Sequence, residues 1–425
     1  MEKSQLKEII LEQISIIKNK DAGIIRDCLP DIGKFLKLPH CIVIAGLRRV
    51  GKSTLLMQLM QNMESNDFYY FNFEDERLIN FTTDDFNSLF EILVELYGEK
   101  KIFFLDEIQN VAGWEIFVRR MMDKGYKFII TGSNASLLSK ESGTKLTGRY
   151  VFMILYPFSF SEFLTFKGFI IKKDDLSITE KRAMIKKLFS EYLKDGGMPE
   201  YLKYQYAEIL KSLYDDILYR DISARYQIRD VRSLRELALY YLSNISGYIS
   251  YNKLKNMFML GSVNTIKSYT EYLENSFLIF TINIFSYSLK QQVIAPKKVY
   301  CLDNGIANAI SFGFSKNSGK YLENFVFIEL KRRNKEMYYY KTKNNLEVDF
   351  VIKKGAKIDE AIQVTYEIDS ESIRNREINS LKQAMSELSL DKGLILTYDH
   401  EEKITFENNE INILPVYKWL LENKY

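Results

Sequence analysis

The chain has 425 residues, of which 46% are hydrophobic and 27% are charged, which predicts a soluble globular protein of about two to four domains. Three widely spaced cysteines without a CxxC pair, and only two histidines, argue against a zinc site and for reduced thiols in a cytoplasmic protein. The net charge of +3 does not by itself indicate nucleic acid, and the sequence has no run of about 20 uncharged apolar residues that would predict a membrane-spanning helix.

The first twenty residues predict an amphipathic helix, and the most specific pattern of the chain follows it. In CIVIAGLRRVGKSTLLMQLM, residues 41–60, an apolar strand leads into a glycine-containing loop and then an apolar helix. Backbone N–H groups of such a loop surround a phosphate at the helix N-terminus. Lys52 is predicted to neutralise the β and γ oxygens and Ser53 to bind Mg²⁺, so ATP and Mg²⁺ are the expected cofactors. The predicted nucleotide-binding residues are Gly46, Gly51, Lys52, Ser53, Thr54 and Asp106.

A second apolar strand, KIFFLDEIQN (101–110), ends in the acidic pair Asp106-Glu107. In a parallel sheet both carboxylates lie at the carboxyl edge, where phosphates also bind. We predict that Asp106 holds Mg²⁺ and that Glu107 polarises the attacking water. A helix cap is the alternative for an isolated acidic pair, but the preceding P-loop favours the catalytic interpretation.

Two further polar residues follow later strands of the predicted sheet. KFIITGSN (127–134) ends in Asn134. A polar residue at this position senses the γ-phosphate in P-loop ATPases, and a strand-end cap is the alternative. Arg149 precedes the next strand, where an arginine finger would be presented, and a surface arginine in a salt bridge is the alternative. The predicted catalytic residues are Glu107, Lys52, Asn134 and Arg149.

The order of these motifs, followed by PFSFSEFL (157–164), resembles the AAA+-type ATPases of archaea and bacteria. More narrowly, it is similar to a prokaryotic ATPase family that carries a C-terminal domain related to restriction endonucleases. DGGMPEYL (195–202) and LYRDI (218–222) in a helical lid belong to this likeness. The lid departs from it in one respect, because Gly196-Gly197-Met198-Pro199 stands nearest to where many AAA+ proteins place a second sensor arginine.

The middle of the chain, from about Val231 to Ile310, predicts three helices and two short strands, the pattern of a winged helix. KQQVIAPKK (290–298) between the strands would form a basic wing. Eleven Lys or Arg and only four Asp or Glu lie between Ser286 and Asn345, as a phosphate-contacting surface requires. The predicted third helix carries acidic as well as basic residues, so weakly sequence-specific DNA binding and binding to a protein both stay open.

The C-terminal part resembles the PD-(D/E)XK nuclease fold implied by the family, with a helix, a hairpin and a further strand. Glu347 and Asp349, two apart in LEVDF, share a strand face, and Glu323 would complete an acidic set from the helix. These three residues are the predicted second metal site, in addition to Ser53 and Asp106 in the first. Gln363-Val364-Thr365 stands where the resemblance implies Glu-x-Lys, which argues for a retained fold with weak or absent cleavage.

Together these patterns predict an α/β protein that binds and hydrolyses ATP and couples nucleotide state to DNA or a protein partner. An ATP-regulated, metal-dependent DNA nuclease and a nucleotide switch with negligible turnover are the alternatives. No membrane partner is expected, and Arg149 would complete a neighbour's site in a homo-oligomer. The predicted domains are a P-loop AAA+-type core with the N-terminal helix (1–160), a helical lid (161–230), a winged helix (231–312) and an α/β restriction-endonuclease-like domain (318–425).

Overall fold

The computed structural model describes residues 1–63, 67–134, 146, 148–311 and 318–422. The chain divides into two compact units, each with its own sheets and helices. The first unit comprises Met1–Tyr156 with Asn275–Phe277, and the second comprises Pro157–Glu274 with Leu278–Tyr425.

The first unit is built on a five-stranded parallel sheet with the strand order β2-β3-β4-β1-β5. All five residues of β1 are buried, as expected for a parallel strand covered on both faces. Because the strands are parallel, their carboxyl ends meet at one edge, and this confirms the predicted α/β sheet. The strands are β1 (Cys41–Ala45), β2 (Phe68–Asn72), β3 (Ile102–Asp106), β4 (Lys127–Gly132) and β5 (Tyr150–Ile154).

The predicted N-terminal amphipathic helix forms, and its apolar side packs into the core of the first unit. Leu6, Ile9 and Ile10 of this helix are buried in the same cluster as Val43 of β1 and Phe103 of β3. Burial of such an apolar stripe is the main source of helix stability in proteins. The helices of the unit are α1 (Lys3–Asn19), α2 (Leu29–Leu36), α3 (Lys52–Gln61), α4 (Asp85–Tyr97) and α5 (Trp114–Asp123).

The second unit begins with helices and a small antiparallel sheet of order β6-β8-β7. The helices are α6 (Phe160–Phe166), α7 (Thr179–Asp195), α8 (Pro199–Tyr204), α9 (Ala207–Asp216), α10 (Val231–Ser243), α11 (Tyr251–Met257), α12 (Val263–Asn275), α13 (Leu289–Ile294) and α14 (Asn304–Ile310). The strands are β6 (Gly247–Ile249), β7 (Ile279–Ile282) and β8 (Lys297–Cys301). The LYRDI motif lies in a π-helical segment, Ile217–Ala224.

The segment between β7 and β8 differs from the predicted basic wing. It contains the short helix α13, whose Leu289, Val293 and Ile294 are 70–79% exposed. The described chain from α10 to β8 runs helix, strand, helix, helix, strand, short helix and strand, and its winged-helix interpretation stays a prediction. Lys298, predicted to lie on the wing, is only 2% exposed, so this lysine does not belong to the basic surface.

The remainder of the second unit is a six-stranded mixed sheet with the order β13-β14-β12-β11-β10-β9. The predicted hairpin forms from β9 and β10, and the predicted further strand is β11, which pairs antiparallel with β10. The strands are β9 (Glu336–Lys341), β10 (Glu347–Lys354), β11 (Lys357–Thr365), β12 (Lys392–Thr397), β13 (Glu402–Phe406) and β14 (Asn409–Pro415). The helices are α15 (Ser318–Arg332), α16 (Glu371–Leu388) and α17 (Val416–Glu422).

The DGG motif after α7 is held by a buried aspartate. The N–H of Gly197 donates to Oδ2 of Asp303 at 2.6 Å, and Oδ1 of the same carboxylate caps α14 by accepting from the N–H of Ile306 at 3.1 Å. A Cβ on Gly196 would stand 2.2 Å from that Oδ1. Gly196 is therefore required by packing against Asp303, whereas a Cβ on Gly197 would stand 2.5 Å from the carbonyl oxygen of Phe158.

Candidate functional site

The predicted P-loop joins β1 to α3 at the carboxyl edge of the parallel sheet. Gly51 is the N-cap of α3 and has φ +101°, a backbone conformation that side-chain-bearing residues rarely adopt. Gly46 has no room for a Cβ, which would lie 2.5 Å from the carbonyl oxygen of Leu155. The loop thus brings backbone N–H groups to the positive end of the α3 dipole, which suits a phosphate.

Lys52 is buried at the start of α3 and forms an ion pair with the predicted catalytic glutamate. Its Nζ lies 3.2 Å from Oε1 of Glu107 and 3.2 Å from each of the carbonyl oxygens of Gly46 and Leu47. Burial is the largest single effect and opposes ionisation of Glu107, but the charge of Lys52, the hydrogen bonds from Gln109 and Lys52 and the charge of Arg48 together outweigh it, and the pKa of this carboxyl is lowered. Glu107 is therefore held as a carboxylate, the form that a general base requires.

Asp106 ends β3 and is fully buried. Its carboxylate accepts hydrogen bonds from the Thr131 hydroxyl of β4 and from the Ser53 hydroxyl of the P-loop. Burial, and then the nearby charge of Glu107, raise the pKa of Asp106. The structure thus brings Ser53 and Asp106, the two predicted Mg²⁺ ligands, into direct contact.

Glu107 has an unusual backbone conformation, with φ 50° and ψ 41°. A residue that carries a side chain adopts this left-handed region at some cost, and such residues cluster at active sites. The N–H of Glu107 donates to Thr131 Oγ1 at 3.0 Å, and the amide of Gln109 donates to its carboxylate. Gln109 and Thr131 therefore fix the orientation of Glu107, and the sequence pattern did not single them out.

The remaining predicted site residues of the first unit lie at both edges of the sheet. Asn134 is buried two residues beyond β4, at the same edge as Lys52 and Asp106. Arg149 precedes β5 at the opposite, amino edge, is 53% exposed and pairs with Asp123. The sensing role of Asn134 and the finger role of Arg149 stay predictions.

Arg26 is a residue of this region that the sequence pattern did not reveal. It is 4% exposed, and its guanidinium donates to the carbonyl oxygens of Val50 in the P-loop and Tyr156 after β5. Its own N–H donates to Oε1 of Gln58 on α3 at 3.1 Å, while Nε2 of Gln58 donates to carbonyls of the segment preceding Arg26. Arg26 therefore attaches residues 22–26 to the P-loop and helix α3.

In the second unit, the three predicted metal ligands surround a lysine side chain. The Nζ of Lys298 lies 2.7 Å from Oε1 of Glu323, 2.8 Å from Oε1 of Glu347 and 3.0 Å from Oδ1 of Asp349. Burial lowers the pKa of Lys298, but the carboxylates outweigh it, and the pKa is raised well above its usual value. Burial, and then the charge of Asp349, raise the pKa of Glu323 above its usual value, against the lowering effect of Lys298.

The neighbouring strand of the sheet carries Gln363 and Thr365 in place of Glu-x-Lys. Gln363 Oε1 accepts from the N–H of Asp349 at 3.2 Å, and its Nε2 donates to Oε2 of Glu377 at 2.6 Å. Thr365 donates to the carbonyl oxygen of Glu367. The amide of Gln363 is thus engaged in structural hydrogen bonds. Glu323, Glu347 and Asp349 line a cavity of about 520 Å³ together with Gln363.

Within the described ranges, no group of three or more His, Cys, Asp or Glu side chains is arranged to hold a metal ion. Glu323, Glu347 and Asp349, predicted from the sequence as metal ligands, instead share the ammonium group of Lys298. Among the described helices, none is both long and apolar enough to cross a membrane.

Three family models match successive parts of the chain. Residues 39–164 match the AAA domain family, which supports a nucleotide-binding P-loop ATPase of the AAA+ type. Residues 186–318 and 318–419 match two domains of unknown function, DUF8612 and DUF4143.

Similar proteins occur in archaea and bacteria. The uncharacterized protein MJ1544 of Methanocaldococcus jannaschii is 41% identical over 98% of this chain and 95% of its own length. An uncharacterized protein of Haemophilus influenzae is 32% identical over 89% of this chain and 94% of its own length. Domain III of the replication initiation protein DnaA from Thermotoga maritima has a TM-score of only 0.26 and 16% identity, covering 40% of this chain and 87% of that chain. On the strength of the first relative and of the AAA match, the chain belongs to the family of MJ1544, and its first unit carries an AAA domain of the P-loop AAA+ ATPase type.

Proposed function

We propose that this protein hydrolyses ATP in its first unit. The observation that carries the proposal is the contact of Lys52, at the start of the P-loop helix, with Glu107 at the end of β3, 3.2 Å apart. The contact joins a phosphate-binding lysine to a carboxylate that lies at the correct edge of the sheet for a general base.

The residues at this edge fit ATP and Mg²⁺. Lys52 and the loop from Gly46 to Gly51 would hold the phosphates, while the Ser53 hydroxyl and the Asp106 carboxylate would hold Mg²⁺, which neutralises charge on the phosphates when bound. Glu107 orients and deprotonates water, and its backbone is fixed by Thr131. Asn134 lies at the same edge and is proposed to contact the terminal phosphate.

Phosphate release by the full-length protein tests this proposal. We expect Mg²⁺-dependent release of phosphate from ATP and its loss in Lys52→Ala, because the replaced side chain no longer neutralises the phosphate oxygens. Lys101→Ala is the matched control, since Lys101 precedes β3 at the opposite edge and pairs with Glu99. Equal rates for wild type and Lys52→Ala would contradict the proposal.

We further propose that nucleotide state is coupled to a macromolecular partner bound by the second unit, and that this partner is a protein. The exposed apolar face of α13 supports a protein, because such faces bind apolar surfaces rather than phosphates. Several basic residues of the 286–345 segment are moreover engaged with carboxylates, namely Lys298, Arg332, Arg333 and Lys335. The discriminating measurement is the ATPase rate with and without DNA, since stimulation by DNA would reverse this preference.

A further inference from the structure

Glu323, Glu347 and Asp349 form a carboxylate cluster in the second unit, and side chains from the small antiparallel sheet contact it. Lys298 on β8 reaches Glu323 on α15 and both Glu347 and Asp349 on β10. Its side chain is 2% exposed. An ammonium group has three N–H donors, and three carboxylate oxygens lie within 3.0 Å of this one, so its hydrogen-bonding capacity is filled.

The second oxygens of Asp349 and Glu347 also have donors, and Oε1 of Glu323, which contacts Lys298, has a second donor. Oδ2 of Asp349 accepts from the N–H of Val364 at 3.0 Å. Tyr248 of β6 donates to Oε2 of Glu347 at 2.5 Å. Tyr300 of β8 donates to Oε1 of Glu323 at 2.8 Å. The acidic set is thus hydrogen-bonded by a lysine and two tyrosines, and each of these comes from the small sheet.

The position of the Lys298 ammonium is the position that a divalent cation would require. Cations such as Mg²⁺ and Ca²⁺ take several carboxylate oxygens around one point at about 2.0–2.6 Å. The three oxygens here surround one nitrogen at 2.7–3.0 Å, so removal of the ammonium would need only small inward shifts of the carboxylates to admit a metal ion. The adjoining cavity, lined by Glu323, Glu347 and Asp349, offers a path of entry.

We propose that Lys298 is the resident cation of this cluster and excludes divalent metal ions from Glu323, Glu347 and Asp349. The inference concerns the second unit and does not depend on ATP hydrolysis by the first. It assigns the six-stranded sheet a metal-free resting form, in which the small antiparallel sheet supplies the positive charge. Displacement of β8 is then the event that would open the cluster to metal.

Mn²⁺ binding to the nucleotide-free, full-length protein tests the proposal by electron paramagnetic resonance, which separates bound from free Mn²⁺. We expect Lys298→Met to bind one more Mn²⁺ ion per chain than wild type does, and the double variant Lys298→Met/Asp349→Asn to lose it. Lys297→Met is the matched control, because Lys297 is the neighbouring residue of β8 and faces the other side of the strand. A folded Lys298→Met protein that binds no more Mn²⁺ than wild type would overturn the proposal.

A second measurement uses only the wild-type protein and so does not depend on the folding of any variant. Hydrogen exchange of residues 345–366 is recorded by mass spectrometry with and without Mn²⁺. We expect equal exchange in both conditions, since the ammonium of Lys298 keeps the ion out. Protection of this segment by Mn²⁺ would show a metal ion bound beside Lys298 and would refute the exclusion.

Discussion

The ammonium of Lys52 pairs with the carboxylate of Glu107 across the edge of the parallel sheet, at 3.2 Å. This ion pair fixes the position of the Glu107 carboxylate, and the backbone of Glu107 lies in the left-handed region. When ATP binds, the ammonium of Lys52 would exchange its contact with Glu107 for a contact with a phosphate oxygen. Binding of ATP and positioning of the base are therefore coupled through one side chain.

Substitution of Glu107 by Gln is expected to separate binding from turnover. The amide keeps the shape of the side chain but accepts no proton, so kcat should fall by about 10²–10⁴-fold while ATP affinity is kept. Affinity is expected to be equal to or tighter than that of wild type, because Lys52 no longer pairs with a carboxylate. Steady-state kinetics and fluorescent-nucleotide titration measure the two quantities, and undiminished turnover would refute the assignment of Glu107.

Arg149 is expected to act on a neighbouring copy of the chain, since it lies at the amino edge of its own sheet. Arg149→Ala should lower kcat with little change in ATP affinity, because an arginine finger contacts the transition state. Mixing Arg149→Ala with Glu107→Gln subunits should restore part of the activity, since a mixed pair contains one site with an intact Glu107 and an intact neighbouring Arg149. Mixtures no more active than the separate variants would leave Arg149 with its surface ion pair to Asp123 as its only assigned role.

Arg26→Ala is expected to weaken nucleotide binding without touching the P-loop sequence. The substitution removes the donors to the carbonyl oxygens of Val50 and Tyr156, and each buried acceptor left unpaired costs about 1–3 kcal/mol. We expect a lower melting temperature and a raised Kd for ATP. Lys20→Ala, at an exposed residue shortly before Arg26, is the control and should change neither quantity.

Lys298→Met is expected to destabilise the second unit at neutral pH. Removal of one partner from a buried ion pair leaves uncompensated charge and costs about 3–5 kcal/mol, and here three carboxylates lose the same cation. Hydrogen exchange should report the loss in peptides from α15 and β10. Adding Glu347→Gln should recover part of the stability by removing one negative charge, and failure of that rescue would argue against an electrostatic cause.

Asp303 predicts a pH dependence of stability. Burial raises its pKa from 3.8 to about 6, against the opposing effect of backbone N–H donors such as Gly197. The folded state therefore holds a proton that the unfolded state releases, and the free energy of unfolding should fall by about 2–3 kcal/mol as the pH rises from about 4 to about 6. Above that range the contribution is constant.

Asp303→Asn is the matched variant, because an amide of the same shape does not titrate. It should be less stable than wild type, since Nδ2 does not accept from the N–H of Gly197, but it should lack the fall in stability between about pH 4 and 6. Urea unfolding curves across this range provide the comparison. Equal pH dependence in both proteins would place the titration elsewhere.

Local patterns predicted the first unit well. A P-loop is a strand, a turn and a helix in one continuous segment, so its residues determine its geometry, and Asp106 followed from the end of an apolar strand. Arg26 was missed because its partners, Val50 and Tyr156, come together only when the distant strands β1 and β5 pair in the sheet. The sensor role of Asn134 and the finger role of Arg149 rest on sequence position, and the mixing experiment tests the second of them.

In the second unit, local patterns predicted the strands but not the burial of Lys298. The strands β10 and β11 follow from short apolar runs on either side of a basic turn, and Glu347 and Asp349 were expected to share a face. Lys298 is 51 residues from Asp349 in sequence, in a segment whose composition predicts an exposed basic wing. Composition does not reveal that one of the three lysines of residues 290–298 is buried in contact with three carboxylates.

The Lys298 contact has a practical consequence for dissecting the protein into parts. Two family models meet at residue 318, which makes that position an inviting place to divide the gene for expression or for exchange of segments between relatives. The division would leave Glu323, Glu347 and Asp349 in one fragment and their lysine in the other. A fragment that keeps the ion pairs contains β8, and it also needs β6 and β7, which pair with β8, and Tyr248 of β6, which binds Glu347, so the useful unit of recombination begins before residue 247.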